Sequence, residues 1–271
     1  MRIRHLIITA ICVATHAQLL SEEQNFLLYD LNEKKWLCEE GPHCDERFSP
    51  CSSFKIPLSL MGFDSGILQN EFSPKWPFVE GYFDKLERWK QPHTPILWMR
   101  NSCVWFSQVL TLMLGMTLFE DYVNRFDYGN KDVSGDADQD NGLTNAWLES
   151  SLKISPREQI YFLEKLVGGT LPVSQHSIEM SKRILLLEEI NGWKLYGKTG
   201  SGQPMNVQQG WFIGWIEKND QSILFVDYMR FYEPIESYGE LIAKQRTIEF
   251  LRNFTQESNA ANASASICEG K

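Results

Sequence analysis

Apolar and polar positions change rhythm along this chain. Asn25-Phe26-Leu27-Leu28-Tyr29-Asp30-Leu31 is a short apolar run that predicts a strand. Asn32-Glu33-Lys34-Lys35 predicts its turn, and Trp36-Leu37-Cys38 begins a return strand. Residues 64–97, rich in proline and tryptophan, show no sustained period and read as irregular chain with short helices. Helices are predicted from Cys103 to Leu114, from Leu118 to Phe126 and from about Ser174 to Glu188. Another begins at Ser155-Pro156-Arg157-Glu158, which combines an N-cap serine, proline at the first helical position and glutamate at the third. Residues 131–141 read as a polar, acidic loop. The rhythm then shifts again. Trp193 to Gly200, Gly210 to Glu217 and Ser222 to Tyr228 predict three strands, and Leu241 to Phe254 a closing helix. Strands, a helical block, then strands and a helix predict an α+β fold: one antiparallel sheet built from both chain ends, flanked by helices, with an all-helical region inserted.

The two ends carry different information. Met1-Arg2-Ile3-Arg4-His5 is basic, Leu6 to Ala14 is apolar, and Thr15-His16-Ala17 ends on a small residue. This predicts a secretory signal peptide over 1–17 and a secreted or periplasmic mature protein with no membrane attachment after cleavage. A single domain is expected over 18–254. Residues 255–271, small and polar, are expected to be a disordered tail. The formal net charge of −9, with no basic block, argues against a nucleic-acid partner. Export makes cysteine pairing an open question. Cys38, Cys44, Cys51, Cys103 and Cys268 remain after cleavage, an odd set; Cys44 with Cys51 is one pairing, Cys38 an alternative partner, and free thiols another outcome.

The candidate chemistry begins at Phe48-Ser49-Pro50-Cys51-Ser52-Ser53-Phe54-Lys55-Ile56-Pro57-Leu58. A helix starting near Ser52 puts Ser52 and Lys55 on one face, a hydroxyl beside an amine that can take its proton. The same helix start offers unpaired N–H groups to developing negative charge. Ser102-Cys103-Val104 places a second hydroxyl at the start of an apolar helix. Lys198-Thr199-Gly200, followed by Ser201, ends a strand. Trp147 lies in Ala146-Trp147-Leu148-Glu149-Ser150-Ser151-Leu152. Taken singly, each has a plainer reading: an N-cap serine, a solvated turn lysine, a core aromatic.

Taken in order with Tyr128-Gly129-Asn130, these motifs resemble the serine β-lactamases and penicillin-binding proteins. Within that superfamily the chain resembles the class D β-lactamases, whose second motif is Ser-x-Val rather than Ser-x-Asn. Lys153 to Gln159 and Gly210 to Trp215 extend the likeness. The resemblance implies hydrolysis of β-lactam antibiotics by a monomer or homodimer. Ser52 would be the nucleophile, and Lys55, carbamylated by carbon dioxide or bicarbonate, the general base. Ser102 would pass a proton to the departing nitrogen. Lys198 and Thr199 would hold the substrate carboxylate beside Gly200 and Tyr128, and the N–H groups of Ser52 and Ser201 would form the oxyanion hole. Trp147 would bond the carbamate, and Val104 would help keep Lys55 dry. No metal is implied. The family's carboxylate-binding arginine on the last helix is replaced here by Lys244, with Arg246 two residues later, so either is a candidate. The same likeness leaves a β-lactam sensor that acylates without turnover, or a cell-wall transpeptidase or carboxypeptidase, as alternatives.

Overall fold

The computed structural model describes residues 22–269; the expected signal peptide over 1–17 lies outside them. Six strands form one sheet: β1 Glu22–Asp30, β2 Lys35–Glu40, β3 Leu186–Ile190, β4 Trp193–Gly202, β5 Gln208–Lys218 and β6 Gln221–Phe231. Their order is β2-β1-β6-β5-β4-β3, with every pairing antiparallel. The first strand thus lies against the last, Glu22 opposite Phe231 and Asp30 opposite Ile223. The helices are α1 Lys55–Asp64, α2 Pro95–Asn101, α3 Val104–Leu114, α4 Met116–Phe126, α5 Gly142–Asn145, α6 Pro156–Val167, α7 Gln175–Leu185 and α8 Gly239–Glu269. The expected α+β arrangement is therefore observed.

Strand alternation divides the core in two. On β6, Leu224, Val226 and Tyr228 face the large core shared with the helical region, whereas Phe225 and Met229 face a second core covered by α8. A strand buried on both faces reads as a continuous apolar run, which is why Trp211 to Ile216 shows little alternation in hydrophobicity. Ser155 caps α6 as expected: its Oγ accepts from the Glu158 N–H at 3.1 Å, and Glu158 Oε2 accepts from the Ser155 N–H at 2.9 Å.

Two expectations need correction. Helix α7 ends at Leu185 and the chain turns directly into β3, whose Leu186-Leu187-Glu188-Glu189 continues a helical composition while pairing with β4. Helix α8 runs on through the segment expected to be disordered. Thr255 is fully buried and its Oγ1 accepts from Asn191 Nδ2 at 3.0 Å, while Asn259 Nδ2 donates to the Asn191 carbonyl at 2.9 Å. Of the outcomes left open for the cysteines, Cys44 and Cys51 take the free-thiol one rather than a bridge. Both are buried thiols, the first donating to the Glu40 and Gly41 carbonyls, the second set against Ser49 and Gln209.

Candidate active site

Ser52 lies in a single 3-10 turn, Cys51–Phe54, that leads into α1 at Lys55. The tight turn brings the pair together directly, with Lys55 Nζ 3.1 Å from Ser52 Oγ. Lys55 is fully buried. Desolvation pushes its amine down to about 8 from an ordinary 10.5, with the neighbouring Cys103 and Cys51 thiols opposing. Those thiols are themselves pushed up to about 11 by burial, so they line Lys55 as neutral groups.

Ser102 is not the N-cap of α3. It ends α2 in the left-handed region, with φ of 54°, and Cys103 takes the cap position. That turn aims the hydroxyl across to β4, where Lys198 Nζ donates to Ser102 Oγ at 3.0 Å and to the Thr199 carbonyl at 2.8 Å. Val104, buried, follows at the start of α3. Lys198 is held well below the ordinary lysine range, first by burial, then by the charges of Lys55, Lys244 and Arg88, with Glu240 opposing. Four of the expected residues, Ser52, Lys55, Ser102 and Lys198, thus form two hydroxyl–amine pairs.

The pairs are joined through β4. Strand β3 stops pairing at Tyr196, which leaves the Lys198–Ser201 edge free to meet the nucleophile turn. Gly200 makes that approach possible: a Cβ there would lie 2.7 Å from the Pro50 carbonyl oxygen and 3.3 Å from the Ser52 nitrogen. Beside Lys198 and Thr199 a cleft of about 250 Å³ opens between Ile96 and Met99 of α2 and Leu186 and Leu187 of β3. A larger hollow of about 440 Å³ between Arg47, Asp127, Lys131 and Glu158 takes in Gly129 and Asn130 but none of Ser52, Lys55, Ser102 and Lys198, and its walls are ion-paired to one another.

Trp147 follows α5 in a turn and is fully buried, its ring stacked on Phe54 with centroids 5.7 Å apart. Its indole N–H has no acceptor among the described residues. An orphaned donor on the residue that packs against Lys55's own turn suits an anion borne by that lysine. Tyr128 requires correction as a substrate contact. It is fully buried, edge-on to Phe54 at 5.2 Å, and its hydroxyl lies 3.4 Å from Gln159 Oε1, so it supports the turn from behind. Arg246 also leaves the candidate site, because Nη2 donates to Glu22 of β1 at 2.8 Å. Lys244, on the same helix, is the one whose charge reaches Lys198. Among the described residues no group of three or more His, Cys, Asp or Glu could hold a metal ion, and no helix is long and apolar enough to cross a membrane.

Sequence reasoning missed the polar layer beneath the nucleophile. Ser49 Oγ donates to the Trp147 carbonyl at 2.9 Å, Trp211 Nε1 donates to the Ser49 carbonyl at 2.9 Å, and Gln209 Nε2 lies 3.3 Å from that same carbonyl. The available signal was Gln208-Gln209 at the head of an otherwise apolar strand, since a buried amide there needs partners.

A serine hydroxyl paired with a dry lysine, facing a strand-borne lysine across a second serine, matches the arrangement of the penicillin-recognising serine enzymes. Residues 29–250 match the family described as the penicillin binding protein transpeptidase domain. The chain is 47% identical over 197 residues to β-lactamase OXA-9 of Klebsiella pneumoniae, covering 69% of this chain and 72% of that one. It is 44% identical over 206 residues to β-lactamase OXA-1 of Escherichia coli, covering 74% of each. The crystal structure of OXA-427 class D β-lactamase superposes with a TM-score of 0.82 at 42% identity, over 87% of this chain and 99% of that one. The chain belongs to the class D β-lactamases.

Proposed function

We propose that this protein hydrolyses β-lactam antibiotics through an acyl-enzyme on Ser52, with Lys55, carbamylated, as general base. The observation that carries the reading is the 3.1 Å contact between Ser52 Oγ and a fully buried Lys55 whose amine is pushed down to about 8. An ammonium can neither take a proton nor attack carbon dioxide, so desolvation is what makes this lysine competent. A carbamate on Nζ would supply an oxygen base at the position that faces Ser52, and the free Trp147 indole N–H would hold it. Ser52 Oγ attacks the lactam carbonyl, and the N–H groups of Ser52 and Ser201 receive the charge that builds on the carbonyl oxygen. Ser102, hydrogen-bonded to Lys198, returns a proton to the ring nitrogen as its bond to the acyl carbon breaks. Lys198, Thr199 and Lys244 attract the substrate carboxylate, and the β4 edge at Gly200 lines the acyl group. Val104 keeps water from Lys55. Residues 1–17 direct export to the periplasm or beyond.

The experiment pairs two measurements. Intact mass should show a penicilloyl adduct on the wild type and none on Ser52→Ala. A carbon-13 spectrum after labelled bicarbonate should show a carbamate resonance at mildly alkaline pH. An adduct on the alanine variant would move the nucleophile elsewhere. An active enzyme with no carbamate signal and rates indifferent to bicarbonate would remove the carbamate from the mechanism. Nitrocefin opened in one burst and then no further would make the protein a sensor.

A further inference from the structure

Directly before Ser52 the backbone does something costly. Cys51 is not glycine, yet its φ is +48°, in the left-handed region that a side chain disfavours. A turn of this kind persists only if its surroundings hold it. The candidates are few and all buried. Gln209, 1% exposed at the head of β5, places Nε2 3.2 Å from Cys51 Sγ and 3.3 Å from the Ser49 carbonyl. Because that carbonyl can only accept, the amide nitrogen must face it. The Tyr228 hydroxyl, 3.0 Å from Oε1, must then donate, and it locks the carboxamide in this sense. Ser49 Oγ donates to the Trp147 carbonyl and accepts from the Glu149 N–H, each at 2.9 Å. With that hydroxyl proton committed, the Cys51 thiol 3.6 Å away is left as the donor to Ser49 Oγ. The chain of polar contacts therefore runs Tyr228, Gln209, Cys51, Ser49, Trp147. There is no slack around it: a Cβ on Gly202 would fall 2.8 Å from Cys51 Sγ and 2.9 Å from Gln209 Nε2.

We infer that Gln209 is a positioning residue of this active site: its carboxamide, oriented by Tyr228, clamps Ser49 and Cys51 so that the left-handed turn presents the Ser52 N–H and Oγ. Through Ser49 the same clamp fixes the backbone of Trp147, so one buried amide sets both the nucleophile and the tryptophan expected to serve its base. The inference rests on Ser52 being the nucleophile, as proposed above. Gln209 touches no substrate. Its loss should lower the acylation rate constant roughly 10- to 100-fold, the scale of an ångström-sized misplacement, while leaving the dissociation constant of the initial complex unchanged.

The test uses the full-length protein and rapid-quench acylation by benzylpenicillin, followed by mass. Gln209→Leu removes both donors. Gln209→Glu gives a signature that a merely structural role would not. A protonated carboxyl can donate to the Ser49 carbonyl, and a carboxylate cannot, so the ratio of variant to wild-type acylation rates should climb as pH falls from about 8 to about 5. Tyr228→Phe should show a smaller loss of the same kind. Gln209→Leu acylating within about twofold of wild type overturns the inference. Should Gln209→Leu not fold, a Gln209→Glu ratio flat across that pH range overturns it instead. Failure of the wild type to take up the penicilloyl mass on Ser52 would refute the nucleophile assignment itself, a result visible before any Gln209 variant is made.

Discussion

Trp147 brings a strong donor into a dry core where none of the described residues accepts from it, an arrangement that costs about 1–3 kcal/mol in an ordinary fold. Trp147→Phe keeps a ring against Phe54 and Phe119 and removes only that N–H. We expect the variant to be no less stable than wild type, to acylate, and to deacylate roughly 100-fold more slowly, because hydrolysis needs the base a second time. Steady-state intact mass would show the trapped acyl-enzyme, and a variant found mostly free during turnover would contradict the assignment. The residues that sequence reasoning found share a property. Ser52 and Lys55 are coupled by a three-residue spacing, and Lys198 and Thr199 are adjacent, so local pattern brings each pair together. Gln209 escaped because its partners Ser49 and Cys51 lie about 160 positions away. Tyr128 was placed too far forward because aromatic character alone does not tell a site wall from its backing.

At the scale of elements, α8 matters most. Its apolar residues Ala243, Leu251 and Phe254 cover the second core, and that period was legible. Its continuation was not, because Thr255 and Asn259 are held by polar contacts to the β3–β4 turn at Asn191, and Lys218 Nζ reaches Asn259 Oδ1 at 2.8 Å. Hydrophobic periodicity cannot announce such bonds. Ending the chain after Phe254 should therefore lower stability by roughly 1–3 kcal/mol, read as a fall in Tm, with kcat unchanged. A truncated protein that melts with wild type would restore the disordered tail. The same helix separates two cations by one residue. Lys244→Ala should raise KM for penicillins about tenfold with little change in kcat, the pattern of a contact made equally in ground and transition states. Arg246→Ala breaks the exposed pair with Glu22 and should leave KM alone. Equal kinetic effects from the two would place both charges at the carboxylate. β3 was hidden for a different reason, since Leu186-Leu187-Glu188-Glu189 has the composition of a helix and is a strand only because β4 offers it an edge.

Over the whole molecule, one buried carboxylate ties the sheet to its covering helix. Asp227 of β6 accepts from Gln24 of β1 at 3.0 and 3.1 Å and from Thr247 of α8 at 3.0 Å, yet burial still pushes its carboxyl up to about 7. The folded protein therefore keeps a proton that the unfolded chain releases near 3.8. Its contribution to stability is full below about pH 4 and is lost as pH rises toward 7. Asp227→Asn should remove that slope and melt higher than wild type at pH 8, by an amount equivalent to roughly 2–4 kcal/mol, with no gain at pH 4. Parallel Tm–pH curves for the two proteins would show that the carboxyl ionises as freely in the fold as out of it. The sheet drawn from both chain ends was readable because its strands are strongly apolar and its helices well separated from them. What that arrangement does to time is a separate matter. β1 pairs along its whole length with β6, some two hundred residues on, and closing so large a loop must precede any reward from that pairing. A ribosome that has finished everything through Lys198 has made both reactive amines and both hydroxyls, and still has no sheet to hold them apart at working distance. Competence should then arrive late and all at once, with the last strand, so that a chain cut short before Phe231 is inert however complete its motifs.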